Sequence, residues 1–444
     1  DIVTLTFYTS EKSQVPDVTI AGENATEAND NGDQLTWTAT KTMDPEDADG
    51  TVAFTIDFYD LAGNQGTQAT AVTSGGTITF DKTAPATNTI TVASSNSNAT
   101  LAKTGDVITV TVVASENLQT DDDLTPWGIS SASIAGQSIA ASNISTSTAT
   151  NWEISYTLTG AESDGSAGYA FTLADAAGNT TDVSSAGSTV AIDNTKPTLT
   201  LVNIESNNAN SSYAKEGDVI TLTLTSSEDL IGNPTIFLAG RSATVAAVGG
   251  SATNYTASLT TNNTDTQGNV AISIAFSDLA GNAGDAVIAT TNSSSVFYDR
   301  TVPTLSAVTM ASNNANTAYA KEGDIVTISF TTSENIQDTD DASPPAATIG
   351  GETATVSGSG TSWSAAYTMQ DGDTEGDLAF TLDFTDIAGN SGSRVTTLTS
   401  GSLVKYDETI PTLTTVDIAS NNSNGATLAK VGDVITVSIT ASEN

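Results

Sequence analysis

A unit of about 108 residues is written four times, and each copy consists of short period-two apolar runs between Gly, Asn and Asp clusters. Together these predict an all-β chain, a tandem array of Ig-like β-sandwich domains of about seven strands each, forming an elongated rod. Four signatures keep one phase through the 444 residues. Asp-x-Thr-x-Pro runs from Asp81 to Pro85, Asp193 to Pro197, Asp299 to Pro303 and Asp407 to Pro411, with proline spacings of 112, 106 and 108. Ala-Lys-x-Gly-Asp ends at Asp106, Asp218, Asp324 and Asp433, and Ala-Gly-Asn ends at Asn64, Asn179, Asn282 and Asn390. Ser-Glu recurs at Glu11, Glu116, Glu228, Glu334 and Glu443. Such an array serves length or multiplicity rather than one active site.

The prolines divide the chain into residues 1–84, a unit lacking its first strand, then 85–196, 197–302 and 303–410, with 411–444 the start of a further truncated unit. Asp1 to Thr6 matches Asp106 to Thr111 inside a later copy, and Gly432 to Asn444 matches Gly105 to Asn117. The expectation is a window from a longer array. Within the third unit the alternation predicts a first strand at Thr198 to Ile204, an Asn-rich turn at Asn207, Asn208 and Asn210, and a second strand at Val219 to Ser226. A short third region follows at Thr235 to Leu238, then strands at Ser242 to Val248, Tyr255 to Leu259, Val270 to Phe276 and Val287 to Tyr298.

Trp37, Trp152, Tyr255 and Trp363 occupy one strand position in successive units, which favours one aromatic core per sandwich over an exposed carbohydrate-stacking face. Trp127 differs: it sits beside Pro126 in a loop of one unit, as a local plug or a partner contact.

Composition removes several chemistries. The chain has no cysteine and no histidine, so disulfides, thiolate chemistry and the commonest general base and zinc ligand are absent. Twelve Lys and Arg against 52 Asp and Glu give a net charge of −40, which repels nucleic acid and anionic membranes and favours cations. No run of 18 apolar residues is present, so membrane insertion is not expected. Acids repeated in every unit suit a scaffold better than an enzyme.

In a sandwich the loops gather at two poles, which sorts those acids. The linker Asp, the Ser-Glu corner and the Asp of Asp-x-Ala-Gly-Asn all fall at the pole where the first strand enters. The sets are Asp81, Glu116, Asp175 with Asn179; Asp193, Glu228, Asp278 with Asn282; and Asp299, Glu334, Asp386 with Asn390. Glu11 with Asp60, and Asp407 with Glu443, occupy the same positions in the outer units. Clustered carboxylates repel unless a cation joins them, and Ca²⁺ takes six to eight oxygen ligands, so calcium is the expected ion, with the Asn as a neutral oxygen donor. Mg²⁺ fits less well because it demands a tighter octahedron. Further acids lie in two neighbouring loops, at Asp121, Asp122 and Asp123 and at Asp338, Asp340 and Asp341; others, Asp371, Asp373, Glu375 and Asp377, lie at the opposite pole. For the Gly-Asp pair before the second strand a turn is the expected role.

The stretches Asp60-Leu61-Ala62-Gly63-Asn64 and Phe80-Asp81-Lys82-Thr83-Ala84-Pro85, with their three later copies, resemble the bacterial Ig-like repeats of large secreted adhesins and biofilm surface proteins. The resemblance covers essentially the whole chain. It implies secreted, rod-like cell-surface stalks, often with calcium at domain borders, that hold a terminal binding domain away from the cell. Asp81, Asp193, Asp299 and Asp407 take the family's linker position, and Asp60, Asp175, Asp278 and Asp386 its loop position.

The expected function is therefore a calcium-stiffened structural spacer of a repetitive adhesin or extracellular filament. Its partners are the neighbouring repeats, with other copies in a fibre or a cell-surface receptor reached through domains outside this sequence. Two alternatives remain. One is a multivalent array binding glycan, ice or a host protein; the other is a filament subunit assembled by donor-strand exchange.

Overall fold

The computed structural model describes residues 1–29, 31–120, 128–338 and 340–443. Asp121, Asp122, Asp123 and Trp127 lie outside the described residues. The chain divides into two compact units, Asp1–Pro197 with Ser277–Gly284, and Thr198–Phe276 with Asp285–Asn444. Both are built of strands. No helix among the described residues is long and apolar enough to cross a membrane.

In the first unit, Ile144–Thr148, Asn151–Thr157, Val107–Ala114 and Thr87–Ser94 lie side by side in one antiparallel sheet. Gln137–Ser138, Ile129–Ile134, Tyr169–Ala174 and Thr180–Ser185 form the other. Alternation makes the core: Ile108, Val110, Val112 and Ala114 turn inward along one strand and meet Trp152, Ile154, Ile134, Phe171 and Leu173 in one cluster. The neighbour order, first strand beside second, second beside fifth, and third beside sixth, is that of an Ig sandwich. Earlier in this unit, Ile2–Tyr8, Thr36–Thr42 and Thr26–Asn29 form a sheet and Glu23–Asn24, Asp17–Ile20 and Phe54–Asp57 another, around Val18, Ile20, Ala39 and Ile56.

The second unit repeats the order. Leu199–Ser206, Val219–Ser226, Asn254–Thr260 and Thr244–Ala247 form one sheet, and Arg241–Ser242, Thr235–Leu238 and Ile272–Ala275 the other. Further on, six strands join into one sheet because Glu352–Ser359 pairs with Ala346–Ile349 at one end and Ser362–Thr368 at the other. Four separate apolar clusters result, each drawn from one sequence repeat.

The expected strands at Val219 to Ser226 and Thr235 to Leu238 are present with those bounds. Three others differ. The single strand expected at Ser242 to Val248 is two: Arg241–Ser242 pairs with Phe237 and Leu238, and Thr244–Ala247 crosses to pair with Tyr255 to Ser258 in the other sheet. The strand expected at Val270 to Phe276 shortens to Ile272–Ala275. Of the strand expected at Val287 to Tyr298, only Phe297–Tyr298 is ladder, with an isolated bridge between Val287 and Ile274. Between them side chains replace the ladder: the amides of Val202 and Ile204 donate to Thr291 Oγ1 at 2.9 Å and Ser294 Oγ at 3.0 Å. Short hydroxyl side chains compete with strand pairing in this way.

Trp37, Trp152, Tyr255 and Trp363 are all buried, 4% exposed or less. They are core residues, as their recurrence implied. Replacing Trp152 by Ala is expected to cost about 3–5 kcal/mol through lost burial and a residual cavity. A thermal melt of the W152A chain checks this, and a loss under about 1 kcal/mol would contradict the packing described.

Candidate metal centres

Each linker is held from both sides before any carboxylate is considered. In the second unit Phe297–Tyr298 runs parallel to Tyr213–Ala214, and the Asp299 amide continues the ladder by donating to the Ala214 carbonyl at 2.8 Å. Asp299 Oδ1 then accepts the Thr301 amide at 2.8 Å, a tight Asx turn. The Arg300 amide and Thr301 hydroxyl both donate to Gln267 Oε1 at 2.9 Å. Past the proline, the Thr304 amide donates to Ser333 Oγ at 2.9 Å and the Ser333 amide returns to the Thr304 carbonyl at 2.8 Å. The serine of Ser-Glu thus ties the linker to the residue beside Glu334.

In the first unit the same bonds recur. The Lys82 amide and Thr83 hydroxyl donate to Asp49, at 2.8 and 2.6 Å, and the Ala86 amide donates to Ser115 Oγ at 2.9 Å. Asp164 accepts the Asn194 amide at 2.7 Å and the Thr195 hydroxyl.

The acidic loop arrives by a different route. Isolated bridges Leu118 to Asp175 and Ile336 to Asp386 fasten it to the strand leaving the Ser-Glu corner. Asp386 is only 1% exposed; its Oδ1 accepts the Asn390 amide and its Oδ2 the Asn390 side-chain nitrogen, both at 2.8 Å. Gly389 sits at φ +88°, a left-handed conformation that a side chain would strain. The same Asn390 nitrogen reaches the Asp299 carbonyl at 3.1 Å, while Asn179 reaches the Asp81 carbonyl at 3.0 Å. Asn282 does so to Asp193 at 2.8 Å, within the first unit. In each asparagine the end that faces the linker carbonyl is the side-chain nitrogen. Each one straps loop to linker.

Within each unit one group of three carboxylates stands together, Asp81, Glu116 and Asp175 in the first and Asp299, Glu334 and Asp386 in the second. In each, one oxygen per residue lies within 4.8 Å of the others. An ion bonded to oxygens at 2.3–2.6 Å, the Ca²⁺ range, cannot span ligands more than about twice that distance apart, so this separation admits a single calcium. The donor set, all oxygen and all anionic, fits a hard cation. Electrostatics agree. Burial raises the Glu334 carboxyl above its ordinary value, and the charges of Asp299 and Asp386 raise it further. Glu116 is raised by burial and then by Asp81, Asp175 and Asp49. Burial outweighs the Asn390 hydrogen bonds to leave Asp386 raised as well.

The remaining expected residues fall as follows. Asp193, Asp278 and Asn282 are in the first unit; burial and the charge of Asp278 raise Asp193. Glu228 is in the second unit, where its carbonyl accepts the Ser226 hydroxyl. Glu11 and Asp60 line one hollow, and Asp407 and Glu443 both lie in the second unit; neither pair joins a three-carboxylate group among the described residues. The Gly-Asp acids are turn caps: Asp218 Oδ2 accepts Asn208 Nδ2 and the Lys215 amide, each at 2.8 Å. Asp338 and Asp341 close a local turn, as Asp341 Oδ2 accepts the Asp338 amide at 2.8 Å. Glu375, expected only as an opposite-pole acid, accepts the Thr409 hydroxyl at 2.8 Å, in the role of Gln267 and Asp49.

Sequence reasoning missed the serine of Ser-Glu, the threonine of the linker and the Asn-rich turn as junction residues. Their signal was the fixed phase. Asn208 Nδ2 donates to the Ala388 carbonyl at 2.7 Å and Lys215 Nζ to the Gly389 carbonyl at 2.6 Å, so the turn of one repeat grips the acidic loop of the next.

No family model matches the chain, and no curated protein matches it. Among solved structures it is similar to a Ca²⁺-stabilised adhesin that helps an Antarctic bacterium reach out and bind ice, at 17% identity and a TM-score of 0.41, over 91% of this chain and 94% of that one. A structure concerning host-cell-surface retention of a 1.5-MDa bacterial ice-binding adhesin is similar at 15% identity and a TM-score of 0.38, over 72% of this chain and 98% of that one. The D1–D4 ectodomain fragment of ICAM-5 is similar at 12% identity and a TM-score of 0.28, over 89% and 94%.

The raised carboxyls set the sign of a pH effect. A group whose folded pKa lies above its unfolded value binds protons on folding, so its contribution to stability declines as pH rises from the unfolded value through the folded one. In chelator, E334Q is therefore expected to melt above the unsubstituted chain at pH 7, with the gap closing as pH falls through the raised value toward the ordinary glutamate value of 4.5. Calorimetry across that range checks it; a gap independent of pH would contradict the repulsion.

Proposed function

We propose that this chain is a structural spacer of an extracellular, repetitive adhesin or filament, with calcium bound where one repeat meets the next. The observation that carries the reading is the three-carboxylate group beside the linker, formed at Asp81, Glu116 and Asp175 and again at Asp299, Glu334 and Asp386. The repeats are taken as residues 1–84, 85–196, 197–302, 303–410 and 411–444. In this reading the three acids of one centre come from two repeats: the linker Asp follows the last strand of one, and the Glu and loop Asp belong to the next. A shared cation then converts mutual repulsion into a joint that resists bending. The sequence resemblance to adhesin repeats supports the extracellular setting.

The array reading is less well supported. It calls for a repeated exposed aromatic face or a flat Thr-rich one, and the repeated aromatics are in the cores.

Differential scanning calorimetry of the whole chain in calcium and in chelator tests the proposal. A ligand that binds only the folded state at about 100 times its Kd stabilises by about 2.7 kcal/mol, several degrees for a domain of this size. The shift is expected to shrink in D386N and in E116Q, and chelation is expected to broaden the interdomain distances seen by small-angle X-ray scattering. Equal melting and equal scattering with and without calcium would sink the proposal.

A further inference from the structure

The acidic loop of the 303–410 repeat is held at its base by its own repeat, through bridges between Ile336 and Asp386 and between Thr385 and Ser391. Its tip is held by the repeat before. Asn390 Nδ2 donates to the Asp299 carbonyl on the linker, and separately Asn208 Nδ2 and Lys215 Nζ donate to the Ala388 and Gly389 carbonyls, at 2.7 and 2.6 Å. Ala388 is 1% exposed, and a Cβ on Gly389 would press on Lys215 Nζ at 3.2 Å, so the contact suits a tip of one small residue and one glycine. The first unit holds the same contact between the turn of the 85–196 repeat and the loop of the next. There Asn96 Nδ2 donates to the Ala280 carbonyl at 2.9 Å, Ala280 is again 1% exposed, and a Cβ on Gly281 would press on Lys103 Cε at 3.3 Å.

The aim of the asparagine is set inside its own repeat. Asn208 Oδ1 accepts the Asn210 amide at 3.1 Å and one Nδ2 hydrogen goes to Asp218 Oδ2 at 2.8 Å, which leaves the second hydrogen for the loop. Asp218 Oδ2 also accepts the Lys215 amide at 2.8 Å, so one carboxylate orients both gripping residues. Asn96 is fixed in the same way, by the Asn98 amide at 2.9 Å and Asp106 at 2.7 Å, and Asn314 by the Asn316 amide at 3.1 Å and Asp324 at 2.7 Å. The Asn-rich turn and Ala-Lys-x-Gly-Asp keep one phase along the chain because together they make one structure.

We propose that this Asn-Lys turn is a docking socket for the Ala-Gly tip of the acidic loop in the following repeat, and that it stops one repeat from rotating about the linker of the other, with or without calcium. Domains joined by a linker alone move relative to one another unless a further contact holds them. Here the loop is bound to two separate segments of the preceding repeat, linker and turn, and a body attached at two places cannot spin about either. The lysine bond is charge-assisted, which makes it the stronger of the two contacts in the socket. Because the socket takes backbone carbonyls of the loop and not its carboxylate, it stands apart from the cation reading.

The test uses the whole chain, which has no cysteine of its own to compete for spin labels. Thr244→Cys and Thr355→Cys place one label at an exposed strand position in each of the two repeats, and double electron–electron resonance in chelator reads the distribution of distances between them. Two variants attack the contact from opposite sides: Asn208→Ala with Lys215→Met in the turn, and Ala388→Arg in the loop tip. Each is expected to widen the distribution by about twofold relative to the labelled parent. Unchanged hydrogen exchange of the Val219–Ser226 and Ile325–Thr332 amides shows that both cores are intact, and if one variant disturbs a core the other, altered in the opposite repeat, decides. A distribution as narrow as the parent's in a variant with intact cores, or a parent already as wide as the variants, would overturn the socket. The calcium reading is judged by another comparison, the parent with and without calcium, so either can fail while the other stands.

Discussion

The hydrogen-bond capture of the linker is the constraint on which the rest depends. A five-residue Asp-x-Thr-x-Pro segment is short and has few backbone partners of its own, since its proline has no amide. It is held because its threonine and preceding amide find an acceptor behind, at Asp49, Asp164, Gln267 or Glu375, and because the residue after proline finds a serine ahead. With both ends fixed, the linker Asp has nowhere to go but beside the Glu that follows that serine. The asparagine strap then fixes the third acid against the linker carbonyl. Three charges are brought within one ion's reach by bonds none of which involves a metal.

That arrangement carries an electrostatic penalty. Burial first, and then the like charges beside them, disfavour ionisation, which is why Glu116, Glu334 and Asp386 are all shifted upward. Elsewhere buried acids are neutralised locally. Asp265 receives two Arg241 nitrogens at 2.7 and 2.8 Å, Asp47 binds Lys41, and Glu162 is held down to about 2 by hydrogen bonds from Tyr156, Thr159 and backbone amides that outweigh its burial. No Lys or Arg ion pair involves Asp81, Glu116, Asp175, Asp299, Glu334 or Asp386 among the described residues. The contrast between acids that have a cationic side chain and these six, gathered without one, is the physical basis for proposing a cation there.

Much of this was legible from the residues. The alternation of Val219 to Ser226 identified a strand with its bounds, because one face is fully buried and the period admits only one register. The recurrence of Trp152 and Trp363 identified the core. The stretch Val287 to Tyr298 misled because Thr and Ser score as strand formers, yet here their hydroxyls take the backbone bonds that a ladder would have used. Ser242 to Val248 misled for another reason: a change of sheet between Ser242 and Thr244 leaves the residue pattern of a single strand.

For the junction, the fixed phase of the repeated motifs named the acids, and sandwich topology put them at one pole. What the chain order could not determine is which end of an amide faces a carbonyl, or that an ordinary-looking serine closes the linker. Those depend on distances between residues some 90 positions apart, as in Asn390 to Asp299, and only the folded packing sets them. The sequence by itself determined the all-β repeat, the aromatic cores and the identity of the clustered acids, because period and phase are properties of the chain. The tertiary structure alone decided how those acids are held together, since hydrogen-bond geometry exists only once two poles have met.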